Sequence, residues 1–560
     1  MLKSQFFQDK SFLIRSFIIL FFSGYFLVGL NIYKDYGISF DEETNRLYGL
    51  TNGNYILKKT LSENSYDKFF SEVTKSKFPE KIKLKKPTEL QNFFDRAYGV
   101  FFELPLATIE VVFNVKDDRD VFLLRHLITF IFFWFSCIYF YLLLNKIFKN
   151  KIISLIGVVF LIINPRIFAN SFYNSKDVVF LGIFLIANYY GYSIIEKRKI
   201  RNILLFSFFS AGLINLRLFG VIVPFAFILN FVFNNFKKRI ILDTLYIKLI
   251  LLILILYYFL TPYLWENPID NFLHTINHFT NLPVYETFYF GESIKTTNTP
   301  WHYIATWILI TSPPFFIFIF LGGLFIIFLK DLKKYNDLTI FYALISLFSY
   351  IFLPYVILNI LNVTMYDGWR HFYFMYPVLI IVSLHLFKYI STLRTSYWNI
   401  FLILTLLIVS INFIGLFKQH PYQNIYFNSV FIKNPLEKFE KDYWGLSDKQ
   451  VLQNFLKVKK NEEKFVYGYS GSMFKSSLKI LKPEDRKKFV NYQDNISKLK
   501  QHSGKIYFFQ NNRHNPNYKL LKKYSYTIFE LVRSNIIING VYEFDTISDY
   551  NAWKKENQIN

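Results

Sequence analysis

Two adjacent carboxylates, Asp41 and Glu42, follow the first long apolar run of the chain, residues 16–32. Roughly 15 Å of helix, or somewhat more of extended chain, fits in the gap between run and pair, which puts the acids close to lipid headgroups. Further charged or strongly polar residues collect near the ends of later apolar runs: Arg125 with His126, Arg166, Lys176 with Asp177, Arg217, Trp301 with His302, and Asp367 with Arg370 and His371. Such groups are costly at membrane depth and tend to line functional cavities there. A carboxylate beside several cations suits one kind of chemistry: the acid takes a proton from a hydroxyl, and the cations receive the negative charge of a departing phosphate.

The elements that must position these groups are membrane spans. Of 560 residues, 53% are apolar and 21% aromatic, more than one water-facing globule ordinarily carries. Eleven runs are long or apolar enough to cross about 30 Å of hydrocarbon, at 16–32, 121–145, 151–164, 177–195, 203–218, 219–235, 244–262, 302–329, 338–361, 371–390 and 397–417. Arg217 falls in the fifth. The net charge of +24 comes from 64 Lys and Arg against 40 Asp and Glu. These cations cluster between apolar runs rather than along one face, which speaks for topology and against nucleic acid.

With a cytoplasmic amino terminus, the inner loops hold Lys146, Lys149, Lys151, Lys197, Arg198, Lys199, Arg201, Lys237, Lys238, Arg239, Lys330, Lys333, Lys334, Lys388 and Arg394. The short outer loops hold Arg166, Lys176, Lys295 and Arg370. That bias predicts a multi-pass protein of the cytoplasmic (inner) membrane with the amino terminus inside. Residues 98–115 are apolar but carry Glu103, Pro105 and Glu110, and a span there would invert every later loop. An interfacial helix is expected instead, leaving loop one, residues 33–120, on the outer face. The first run is preceded by Lys3, Lys10 and Arg15 and lacks a small-residue cleavage site after it, so it reads as a retained anchor.

The domain organisation expected is therefore an all-α polytopic membrane domain over residues 1–417, followed by a small soluble extracytoplasmic α/β domain over 418–560. In the latter, Ser447 to Lys459 has helical periodicity, and Lys464 to Tyr469, Lys505 to Gln510, Tyr526 to Val532 and Ile536 to Phe544 read as strands, the last two joined by a turn at Arg533-Ser534-Asn535. The single cysteine, Cys137, lies in an apolar run and excludes a disulfide framework. His274 and His278 share a helical face, yet no further zinc ligands accompany them, so no metal is expected.

Several short segments together resemble the integral-membrane glycosyltransferases of the C fold, in the family 39 group that includes protein O-mannosyltransferases and aminoarabinose transferases. They are Phe40-Asp41-Glu42, Asn164-Pro165-Arg166-Ile167-Phe168, Asn174-Ser175-Lys176-Asp177, Pro300-Trp301-His302-Tyr303 and Tyr366-Asp367-Gly368-Trp369-Arg370-His371-Phe372-Tyr373. His420-Pro421-Tyr422-Gln423 and Asp442-Tyr443-Trp444-Gly445 are similar to a bacterial branch of that group. The resemblance runs from about residue 12 to 445. It implies a donor sugar on a polyprenyl phosphate, with no further cofactor, transferred with inversion to an acceptor hydroxyl of a protein, lipid or glycan at the outer membrane face. On this resemblance Asp41 is the general base and Glu42 orients the acceptor or Asp41. Arg166, Lys176, Arg370 and His371 hold the donor phosphate, with Asp177, Arg217, His302 and Asp367 in support. Ser175 replaces the proline of the commoner Asn-Pro-Lys-Asp form, which frees one backbone angle beside Lys176.

Bland uses compete with each site. Carboxylates after Ser39 suit any helix N-terminus, Lys176-Asp177 could be a membrane-edge ion pair, and Arg370 or His302 could sit at the interface beside Trp369 or Trp301. Among enzymes, a polymerase or ligase of lipid-linked oligosaccharides would need the same phosphate cradle. A lipid-sugar transporter would more typically carry inverted halves and charges at mid-depth, and a membrane adaptor would tolerate loss of Asp41.

Overall fold

A computed structural model describes residues 2–68, 89–237, 244–331, 338–360, 363–365, 367–470, 474–492, 504–513, 523–533 and 535–557. Lys238, Arg239, Lys333, Lys334, Tyr366, Ser534 and the 69–88 part of loop one lie outside the described residues. The apolar runs are helical. Among the described residues five helices are long and apolar enough to cross a membrane: Phe12–Ile32, Asp118–Phe148, Asp177–Glu196, Thr339–Ile360 and Thr395–Lys418. Four shorter apolar helices accompany them, Ile200–Leu216, Leu218–Val232, Leu245–Leu260 and Met375–Ser391.

Proline marks a sharp bend at two further places. Lys151–Ile162 turns by 71° into Pro165–Tyr173, and Tyr303–Thr311 turns by 119° into Pro314–Leu329. Run 302–329, expected as one crossing, is therefore two helices: the ring of Pro313 cannot continue the helical hydrogen bonding, and the residue before a proline is pushed out of helical conformation. At the first break the Asn164 side chain accepts from Ile167 N at 3.2 Å and starts the new helix. Arg217 is likewise corrected. It sits in extended conformation at the C-cap of Ile200–Leu216, between helices rather than inside a span.

Asp177–Glu196 is the hub, with 89% of its apolar window buried, against 17% for Phe12–Ile32 and 11% for Thr395–Lys418 at the periphery. An apolar groove of about 730 Å³ runs between those two outer helices and Lys151–Ile162, from Leu13 to His420 and Gln423. Gly24 lines it with no atom within 4 Å of where a Cβ would stand.

Loop one contains a polar helix, Glu42–Thr60, that periodicity did not reveal. The 98–115 segment forms the helix Glu103–Val112, about 15 Å long by its rise per residue and too short to span. A hairpin, β1 (Glu286–Tyr289) with β2 (Glu292–Lys295), precedes Tyr303–Thr311.

The tail is a mixed five-stranded sheet in the order β4-β3-β5-β7-β6, with β3 Phe465–Tyr469, β4 Phe489–Asn491, β5 Ile506–Asn511, β6 Tyr526–Arg533 and β7 Ile536–Phe544. Alternate residues serve opposite faces, as a pleated strand requires. Phe465, Tyr467, Tyr507 and Phe509 pack with Val451, Leu452 and Phe455 of the helix Asp448–Val458. Val466, Ile506 and Phe508 pack with Tyr550 and Trp553 of the helix Ile547–Glu556. The first of these clusters also takes in Ile38, Phe122 and Leu123, so the sheet domain is seated on the helical part beside loop one.

Candidate active site

Asp41 ends the segment after the first helix and is the N-cap of Glu42–Thr60. Its carboxylate remains 29% exposed and lies 3.1 Å from Arg370 Nη1. The same Nη1 is 3.1 Å from Asp177 Oδ2, and Arg370 Nε is 3.4 Å from Asp367 Oδ2. Three carboxylates from three distant segments thus share one buried guanidinium. Tyr443 and Trp444 cover it, with ring centroids 5.2 and 4.7 Å from its central carbon. Burial alone would weaken this cation, but the Tyr443 hydroxyl and the three acids keep Arg370 firmly protonated. Asp367, in the left-handed turn before it, is pushed up to about 7 by burial, with Arg370 opposing.

Lys176 precedes the hub helix. Its ammonium lies 3.8 Å from the Tyr98 ring centroid and 4.4 Å from that of Tyr48, and no carboxylate pairs with it among the described residues. Burial lowers its pKa to about 8, with Asp41 the main opposing influence. The turn that carries it is tied at both ends. Asn174 Oδ1 accepts from the amides of Lys176 and Asp177 at 3.2 and 2.8 Å. The Ser175 hydroxyl donates to Glu103 and accepts from Asn45 Nδ2 at 3.3 Å. Serine therefore fixes this turn through side-chain bonds where a proline would fix it by its ring. Arg217 pairs with Asp177, and burial, with Arg217 and Arg370 nearby, holds the His371 imidazole well below its ordinary pKa and so neutral.

Glu42 points away from Asp41 and into the protein. Only 2% exposed, it accepts from Ser39 N at 2.6 Å and lies 2.9 Å from His126 Nε2. Glu43 pairs with Lys479 and accepts from Ser476 Oγ at 2.6 Å. Burial would raise its pKa, but Lys479 and Ser476 bring it below the usual value. Beneath the helix Glu42–Thr60, Arg46 pairs with Glu110 and, at 3.4 Å, with Asp118, while Glu103 pairs with Arg125.

Of the residues singled out from sequence, Asp41, Asp177, Arg217, Asp367 and Arg370 form one contiguous network, with Lys176 and His371 beside it. Arg166 is buried on another side, its guanidinium 4.9 Å from the Trp307 ring centroid and 4.8 Å from that of Phe427. Its Nε and Nη2 have no hydrogen-bond partner. His302 joins none of these acids. Its Nδ1 is 2.8 Å from Tyr289 Oη and 3.3 Å from Thr306 Oγ1. Tyr48, Tyr98, Glu103 and Glu43 belong to the site and were not foreseen. Tyr443 and Trp444 lay in a motif already noticed, which was the one available signal for them. Among the described residues no group of three or more His, Cys, Asp or Glu is arranged to hold a metal ion.

Comparison with known proteins gives a partial match. Residues 106–265 match the family model described as dolichyl-phosphate-mannose-protein mannosyltransferase. That stretch holds Arg125, Arg166, Lys176, Asp177 and Arg217, and excludes Asp41 and Arg370. On a multi-pass helical chain, the match supports a membrane glycosyltransferase of the C type. No curated protein sequence matches the chain. Two crystal structures of ArnT from Cupriavidus metallidurans are similar to it, each at 10% identity over 94% of this chain. The apo state covers 98% of that protein with a TM-score of 0.49, and the form bound to undecaprenyl phosphate covers 97% with a TM-score of 0.46.

Proposed function

We propose that this chain transfers a sugar from a polyprenyl-phosphate-linked donor to an acceptor hydroxyl at the outer face of the cytoplasmic membrane, inverting the anomeric centre, with Asp41 as general base. The observation that carries the reading is the setting of Asp41: a part-exposed carboxylate held by one guanidinium and near enough to act electrostatically on Lys176, which pairs with no carboxylate among the described residues. The family match adds the substrate class, since its description names a sugar carried on dolichyl phosphate.

In the single displacement, Asp41 takes the proton of the acceptor hydroxyl while that oxygen attacks the anomeric carbon, and the phosphate leaves with the bonding pair. Base assistance of this kind contributes on the order of 10²- to 10⁴-fold. Lys176 receives the developing phosphate charge, with Arg217 beside it. Arg370 is already shared by three acids, so its part is to hold Asp41 ionised and aimed. Glu42, turned to His126, fixes the backbone on which Asp41 sits, and His371 offers a neutral hydrogen bond rather than charge. Arg166, lying against the Trp307 and Phe427 rings, stands apart from this network as a second buried cation.

Asp41→Asn keeps shape and removes basicity. Turnover is expected to fall by at least about 10²-fold in washed membranes supplied with radiolabelled polyprenyl-phosphate mannose and glucose, with the protein inserted at its usual level. Undiminished transfer by this variant would overturn the assignment.

A further inference from the structure

Three consecutive acids at the start of the helix Glu42–Thr60 are each tied to a different part of the molecule. Asp41 goes to Arg370, Glu42 to His126 of the helix Asp118–Phe148, and Glu43 to Ser476 and Lys479 of the tail domain. Only the first faces the proposed chemistry. The other two grip the backbone of Asp41 from opposite sides, one from within the helical bundle and one from the sheet domain.

We propose that Lys479 and Ser476 are positioning residues for Asp41, which makes the C-terminal domain part of the catalytic apparatus rather than an appended module; this rests on the reading of Asp41 as base. The segment that carries them is itself braced. Ser477 Oγ donates to Asp448 Oδ2 at 2.9 Å, and Arg486 donates to the carbonyls of Lys479 and Leu481 at 3.0 and 3.1 Å. Arg486 also reaches Asp118 at 3.2 Å, and Asp118 is shared with Arg46, one turn beyond Glu42. A second tie comes from Tyr443, whose ring lies between Arg370 and Arg513, with centroid distances of 5.2 and 4.1 Å. Arg513 follows β5 and pairs with Glu440. The domain therefore holds both partners of the Asp41–Arg370 contact, one through Glu43 and the other through Tyr443.

Catalytic groups tolerate little displacement. A shift of about 1 Å costs on the order of 10²-fold even when its origin is remote from the chemistry. Release of Glu43 frees the first turn of the Asp41 helix on its outer side while Glu42 and Asp41 keep their own contacts, so the loss falls on rate and not on donor capture.

The test compares Lys479→Met, Lys479→Arg, Glu43→Gln and the exchanged pair Glu43→Lys with Lys479→Glu, against Lys505→Met, whose partner Glu543 lies on β7 and touches none of the site residues. The readout is polyprenyl-phosphate mannose and glucose consumption in washed membranes, with deuterium exchange of residues 40–50 in the purified full chain. Lys479→Met and Glu43→Gln are expected to lower kcat roughly 10- to 100-fold at unchanged donor KM and to raise exchange in 40–50. Lys479→Arg and the exchanged pair should restore most of the rate, and Lys505→Met should leave it alone. If Lys479→Met keeps both rate and exchange, or raises KM at constant kcat, the positioning role is overturned while Asp41 stands. If Asp41→Asn turns over normally, the base assignment and with it this role both fall. Exchange is measured whether or not the donor sugar is accepted, so the latch is judged in either case.

Discussion

Lys176 carries a charge whose presence depends on pH within an accessible range. Its ordinary pKa of 10.5 is brought down to about 8 by burial, so the ammonium is complete well below pH 8 and is lost as pH rises through that value. If it receives the donor phosphate, kcat/KM for the donor should decline above about pH 8, because the free enzyme must capture the anion. The decline should be weaker in kcat, since a bound phosphate pulls the lysine pKa upward. Lys176→Arg keeps a cation at every working pH and should flatten the alkaline limb, read from a pH profile of initial rates at sub-saturating donor. Sequence alone made Lys176, Asp177 and Arg370 visible as expensive charges near the ends of apolar runs. It did not divide their labour, because the carboxylates gathered on Arg370 come from residues 41, 177 and 367, and only folding reveals that they share one guanidinium.

At the scale of elements, the run of buried pairs between loop one and the helix Asp118–Phe148 is what holds the site against the bundle. Glu103 is the centre of it, bonded to Arg125 on one side and Ser175 on the other. Glu103→Ala leaves the Arg125 guanidinium buried without its carboxylate, a defect of about 3–5 kcal/mol. Ser175→Ala removes two hydrogen bonds, the one donated to Glu103 and the one accepted from Asn45, about 2 kcal/mol together. Thermal unfolding in detergent should order the two variants that way, and Ser175→Ala should be the one whose donor KM rises out of proportion to its stability loss, because it unpins Lys176. Hydropathy placed the apolar helices well, since a span must be apolar whether it faces lipid, as Thr395–Lys418 does, or the protein interior, as Asp177–Glu196 does. It missed the turn at Ser312-Pro313-Pro314 inside the run 302–329, because a hydropathy sum is blind to direction, and it ended the run 151–164 where a further helix, Pro165–Tyr173, sets out at an angle. The helix Glu42–Thr60 escaped for the opposite reason: its buried residues include Asn45, Arg46 and Asn52, which read as solvent-facing until their partners are known.

Across the whole molecule, the first turn of loop one and the sheet domain are in direct contact although nearly the full chain length separates them. A Cβ at Gly37 would stand 2.7 Å from Leu446 O, so only glycine admits this approach just ahead of Asp41. The strands β3, β5 and β7 were legible as short runs rich in aromatic and β-branched residues, because helices cover both faces of the sheet there and bury nearly every position. Short β4 and the pairing of Glu43 with Lys479 were not, since nothing local in one sequence encodes a contact across 436 positions. The groove between Phe12–Ile32, Lys151–Ile162 and Thr395–Lys418 bears on handling of the protein. Its walls are hydrocarbon for nearly the depth of a bilayer, and its upper rim is His420 and Gln423, beside the Tyr36 that leads to Asp41. Stripping the protein of native lipid leaves this seam to be refilled by surfactant tails, so long-chain maltosides should preserve turnover that short-chain glucosides lose, and Gly24→Leu, which fills the seam from within, should narrow the gap between them.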